Sequence, residues 1–123
     1  MLKEFLIVAA GGGIGSAIRY AVSVWLPAKN FPYSTLLVNI TGSFIIGLVL
    51  ALSIKNEAFT NNLKLFLATG ICGGFTTFSA FSAENLQLLQ MGKYTTAFVY
   101  ILLSIVAGII AALVGFKLIT HNS

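Results

Sequence analysis

Residues 63–91 make an apolar run long enough to cross a lipid bilayer as a helix, yet the run is interrupted from within. The interruption is Gly70-Ile71-Cys72-Gly73-Gly74-Phe75-Thr76-Thr77-Phe78-Ser79-Ala80-Phe81-Ser82-Ala83-Glu84, with three glycines, two adjacent threonines and two serines. In lipid every backbone N–H and C=O needs a partner, so an opened helix is tolerated only where protein or a water-filled cavity covers it. Opening a helix also frees carbonyls that hold cations, as the discontinuous helices of transporters do. The stretch therefore predicts a third helix broken at mid-membrane, near residues 73–77, for an ion or a substrate.

Composition places the rest of the chain in the same setting. Of 123 residues, 58% are hydrophobic and 8% charged, where a soluble domain carries about 25% charged residues. Four spans of about 20 residues use nearly the whole length. They fall at residues 5–26, 33–54, 63–91 and 94–119, giving an all-α membrane protein of one domain, 1–123. The net charge of +4 is no nucleic-acid footprint. Lys3, Lys29, Lys55, Lys64, Lys93 and Lys117 stand singly near span ends, as in membrane proteins, whereas a basic patch would be clustered. Cys72 is the only cysteine, so no intrachain disulfide forms. With His121 at the tail, no nucleophile–base pair can be assembled, and no enzyme is expected. A signal peptide competes for the first segment, since Lys3 precedes an apolar run ending at Ala9-Ala10-Gly11. The run continues well past an h-region, and three more spans follow.

Several polar or small residues fall inside these spans. Gly11 and Gly15 are four apart, on one helix face, and allow another backbone to approach closely. The run Gly11-Gly12-Gly13-Ile14-Gly15 is not a nucleotide loop, because no strand precedes it and no acidic ribose ligand follows. Arg19 has two readings: an ionisable residue marking an aqueous pathway, or a side chain snorkelling to the interface. The connection Pro27-Ala28-Lys29-Asn30-Phe31-Pro32 is a short turn between antiparallel spans. Beyond it, Thr35, Asn39, Gly42, Ser43 and Gly47 recur at helical spacing. The Asn39 amide must hydrogen-bond at membrane depth, either as glue between helices or as part of a pore lining. Phe78 and Phe81 share a helix face, as do Ser79 and Ser82, and Glu84 lies one turn further on. In the last span Tyr100, Ser104 and Gly108 follow at i, i+4, i+8, on a face that packs on or lines a polar track.

With four spans, the N-terminus, the second connection and the C-terminus share one side of the membrane. That side holds Lys3, Lys55, Lys64 and Lys117, against Lys29 and Lys93 on the other, or three if Arg19 is counted there. Orientation follows the Lys/Arg bias, which is weak here, so the chain is expected to insert in both directions. Two copies then pair head to tail about a two-fold axis, each contact made twice.

These residues bring a known family into view. The chain resembles the small fluoride channels of the Fluc (CrcB) family through Gly12-Gly13-Ile14-Gly15-Ser16-Ala17-Ile18-Arg19-Tyr20, Thr35-Leu36-Leu37-Val38-Asn39-Ile40-Thr41-Gly42-Ser43-Phe44, and Gly70 through Glu84. One departure is Ala80, where many members have a threonine. The resemblance implies a dual-topology, antiparallel homodimer in the cell inner (plasma) membrane, with two fluoride pores and passive export of fluoride from the cytoplasm. It also implies a central structural sodium ion on the backbone carbonyls of Gly73 and Thr76. By the same resemblance the pore phenylalanines are Phe78 and Phe81 and the pore asparagine is Asn39. Ser79, Tyr100 and Ser104 fall on the polar track, Arg19 in the aqueous vestibule, and Glu84 at a position of less defined role. The chemistry is consistent with such a pore: fluoride sheds water only for hydrogen-bond donors, which Asn39, Ser79 and Tyr100 supply. Aromatic rings have a positive edge, so Phe78 and Phe81 can meet an anion edge-on. Two other readings compete. A small multidrug-type proton-coupled transporter wants a carboxylate within its first span, where this chain has none. A non-transporting assembly subunit leaves the opened third helix without a purpose.

Overall fold

The computed structural model describes residues 1–27 and 30–121, and the regular structure among them is helical. Helix α1 covers Leu2–Trp25. It stops just before Pro27, which cannot extend a helix and disfavours helical backbone in the residue before it. Ala28 and Lys29 of the expected turn lie outside the described residues, as do Asn122 and Ser123 of the tail. Helix α2, Tyr33–Lys55, follows directly on Pro32.

The third span is assembled from pieces. A single turn, α3 (Asn61–Lys64), is capped by Thr60, whose hydroxyl accepts from Leu63 N at 3.2 Å. A π-helical stretch, Leu65–Cys72, continues it. The short α4 (Gly73–Phe75) comes next, then two extended residues, then α5 (Phe78–Gln90). Gly92, with φ +75°, turns the chain out of α5. That left-handed position costs glycine little, and it lets Lys93 N close on Leu88 O at 2.8 Å. Helix α6, Tyr94–Thr120, completes the fold.

Among the described residues, four helical segments are long and apolar enough to cross a membrane: Leu2–Trp25, Tyr33–Lys55, Asn61–Gln90 and Tyr94–Thr120. The protein is a multi-pass, all-helical membrane protein. Its spans pack as two parallel pairs. Going down α1, Gly11 meets Phe66 and Gly70 of the third span, and Gly15 meets Ile71 and Phe75. Going down α2, Gly47 meets Ala112 and Phe116 of α6, and Gly115 returns the contact on Phe44 and Leu48. Lys55 Nζ donates to Ile119 O at 2.9 Å, tying the ends of α2 and α6 together. Lipid tails are as apolar as leucine, so small residues that admit close backbone packing take over the work of a hydrophobic core. The large apolar side chains, Phe98, Ile109 and Leu113 among them, point outward instead.

Two local features differ from the sequence expectation. Glycines 70, 73 and 74 do not open the helix; they lie within helical turns, and Gly70 and Gly74 are pressed against α1. Helical geometry stops at Thr76 and Thr77, because their hydroxyls and the Asn39 amide offer the backbone other partners. The π-helical turns are the second difference, since the residue pattern predicts ordinary α-helix there.

Candidate functional site

Thr76 has φ −83° and ψ 157°, and Thr77 has φ −151° and ψ 123°. Each solves a bonding problem created by leaving the helix. Thr76 ends α4 by donating twice to Cys72 O, from its amide at 2.9 Å and from its hydroxyl at 2.7 Å. The Thr77 hydroxyl starts α5 by accepting from Ala80 N at 3.1 Å, the usual service of an N-cap threonine. The peptide of Thr77 itself is paired by Asn39. Its N–H donates to Asn39 Oδ1 at 2.9 Å, and its C=O accepts from Asn39 Nδ2 at 3.2 Å. A side-chain amide offers both a donor and an acceptor, so Asn39 stands in for a neighbouring peptide group.

The carbonyls around this point fall into two sets. Gly74 O accepts from Arg19 Nε at 3.1 Å and from Ser16 Oγ at 3.5 Å. Gly73 O, Phe75 O and Thr76 O lose their helical donors. In a continuous helix these would be Thr77 N, Ser79 N and Ala80 N; Thr77 N and Ala80 N go to Asn39 and to the Thr77 hydroxyl instead. Gly73 lies exposed on the outer face of the chain.

A groove of about 300 Å³ runs beside the interruption, lined by Asn39, Thr76, Thr77, Phe78, Phe81, Ser104 and Ile105. Asn39, Phe78, Phe81 and Ser104 are thus brought together. The rings of Phe78 and Phe81 stand 5.7 Å apart between centroids, and Ser104 Oγ is buried with no hydrogen-bond partner. Tyr100 sits deeper, fully buried, its ring 5.0 Å from that of Phe81 and edge-on to Phe31. Its hydroxyl donates to Glu84 Oε1 at 2.9 Å, while Thr35 Oγ1 donates to Glu84 Oε2 at 2.8 Å. Glu84, the acidic residue of uncertain role, is therefore the acceptor that gathers two hydroxyls from two other helices. Ser79 lies outside the groove, exposed, with its hydroxyl 3.2 Å from that of Thr77. Arg19 and Glu84 line a second, smaller cavity of about 160 Å³ with Ser23, Ser34, Thr35, Val38, Thr77 and Ala80.

Three of these participants do not stand out from the residue pattern as site residues. Thr35 is visible there only as part of a stripe, and Ser16 and Thr77 only as members of a motif. A signal exists for Thr35: it precedes Asn39 by four residues, as Tyr100 precedes Ser104.

Fold and site together define a multi-pass helical membrane protein with polar side chains gathered between its spans. A family model described as CrcB-like protein, Camphor Resistance (CrcB), matches residues 6–116. The chain belongs to that family. Among similar proteins is the fluoride-specific ion channel FluC of Azobacteroides pseudotrichonymphae, 49% identical over 121 residues, which cover 96% of this chain and 97% of the relative. A protein of the same name from Thermus thermophilus is 44% identical, with 95% and 94% covered. That from Agrobacterium fabrum is 46% identical, with 91% and 92% covered.

Proposed function

We propose that this protein is a fluoride-selective channel that lets fluoride leave the cytoplasm passively through the plasma membrane. The observation that carries the reading is the groove itself. An asparagine amide, two phenylalanine rings and an unpartnered serine hydroxyl line one cavity at a helix interruption, in a chain 44–49% identical to proteins named fluoride-specific ion channels. A small anion entering from water needs donors in place of its hydration shell, and binding weak or divided enough to let it go. Ser104 offers a free hydroxyl, Asn39 offers its second amide hydrogen, and Phe78 and Phe81 offer positive ring edges. Tyr100 and Thr35, turned toward Glu84, hold the deeper end of the track, and Ser79 lies at its exposed margin. Arg19 gives the smaller polar cavity a positive charge, as a vestibule for anions requires. The activity is transport, not catalysis.

The working unit in this reading is two copies in opposite orientations, with two pores. An exposed carbonyl without a donor, as at Gly73, is costly in hydrocarbon, and a second copy would cover it. Gly73 O and Thr76 O also fit a sodium ion, because both are uncharged oxygens released from the helical ladder, and a cation prefers such oxygen ligands. Bound there, sodium would supply a positive charge shared by the two copies and favourable to anions nearby.

The test is fluoride efflux from proteoliposomes containing the purified protein. Fluoride should leave far faster than chloride and without a proton gradient. Equal rates for the two anions, or strict dependence on protons as in a multidrug-type exchanger, would overturn the proposal.

A further inference from the structure

The polar residues of α2 and α6 pair off rung by rung. Thr35, Asn39 and Ser43 follow one another at intervals of four on α2, and Tyr100, Ser104 and Gly108 do so on α6. Because the two helices run parallel, the series stay in step. Thr35 and Tyr100 meet on Glu84. One turn on, Asn39 and Ser104 line the groove. One turn further, Ser43 Oγ lies 3.7 Å from where a Cβ on Gly108 would stand. This third rung has a hydroxyl on one side and no side chain on the other. Ser43 is half-buried, and its hydroxyl makes no hydrogen bond among the described residues.

The geometry points to Ser43 as a further fluoride contact, the donor that carries the track one helical turn beyond Ser104 and the phenylalanine pair. The assignment rests on the fluoride-channel reading above. Two features support it. The Ser104 hydroxyl next to this rung is buried and unpartnered, so the line of donors does not end in a satisfied network. Gly108 leaves open the space that a side chain would fill, and an ion fits where a methyl group is missing. A serine within a helix can spend its hydroxyl on a carbonyl of its own helix, as Ser53 near the end of α2 does with Leu50 O at 2.8 Å; Ser43 does not.

The experiment compares fluoride efflux from proteoliposomes for four proteins: wild type, Ser43→Ala, Gly108→Ser, and the double variant Ser43→Ala/Gly108→Ser. A hydrogen bond to a charged group is worth roughly a factor of ten in occupancy, so Ser43→Ala should slow efflux about tenfold. The double variant, with the hydroxyl moved across the rung, should recover most of the rate, which a merely structural role for Ser43 would not produce. Gly108→Ser alone should conduct at least as well as wild type. Wild-type rates in Ser43→Ala, or no recovery in the double variant, would overturn the assignment. If Ser43→Ala fails to assemble, Ser43→Cys decides: it keeps the shape but donates only weakly, and wild-type flux there would overturn the assignment. A wild type that fails to prefer fluoride would sink the channel reading instead, a distinct result.

Discussion

Asn39 is the residue on which the interruption of the third span depends. Replacing it with leucine keeps the branched shape but leaves both polar groups of the Thr77 peptide without their partner. Each buried group stranded in this way costs about 1–3 kcal/mol. Asn39→Leu should therefore lower the thermal unfolding midpoint in detergent and also abolish fluoride flux. Phe81 is a different case. Its ring lies between those of Phe78 and Tyr100, and isoleucine preserves the apolar contact while removing the positive ring edge. Phe81→Ile should unfold near the wild-type temperature yet pass little or no fluoride in the liposome assay. Persistent flux in that variant would remove the aromatic ring from the pathway.

At the scale of helices, glycines decide which faces meet. A Cβ on Gly15 would overlap the carbonyl of Ile71 and come 2.8 Å from Phe75 N, both rigid backbone. Gly15→Ala should force α1 away from the third span and cost about 1–3 kcal/mol, as overpacking does. Gly13, two residues earlier, has nothing within 4 Å of its Cβ position. Gly13→Ala should be neutral or stabilise by up to about 1 kcal/mol through helix propensity. Thermal unfolding of the two variants side by side reads the difference. The role of Gly15 was legible in the sequence, since its spacing from Gly11 marks one face. The four spans were legible for the same reason: hydropathy runs long, and prolines or polar residues bound them. Less was legible where one element answers to another. Glycines 70, 73 and 74 look like breakers, but breaking depends on whether the backbone finds alternative partners. Those partners, Asn39 and Arg19, come from other spans. The union of Thr35 and Tyr100 on Glu84 was hidden likewise, because three helices must be placed before it exists. The π-helical turns left no trace in residue pattern at all.

For the whole molecule, the carbonyls of Gly73 and Thr76 set the prediction. If sodium joins two copies there, exchanging it for N-methylglucamine should shift the detergent-solubilised protein from dimer toward monomer and slow fluoride efflux. Size-exclusion chromatography with light scattering, run in parallel with the flux assay, checks both. Unchanged mass and rate would leave the site without its ion. Orientation is open to measurement too, because Cys72 is buried. A cysteine introduced beside Met1 should react with a membrane-impermeant reagent from both faces of the membrane in similar amounts. Labelling from one face only would rule out opposed copies.

The interleaving of the spans bears on biosynthesis. Each of the first two spans has its principal neighbour not in the segment that follows it out of the ribosome but in the one after that. The first span must wait with its glycine face unmatched until the third arrives, and the second must wait for the last. No half of the polypeptide contains both members of a pair, so the packing is complete only once the last span has been made.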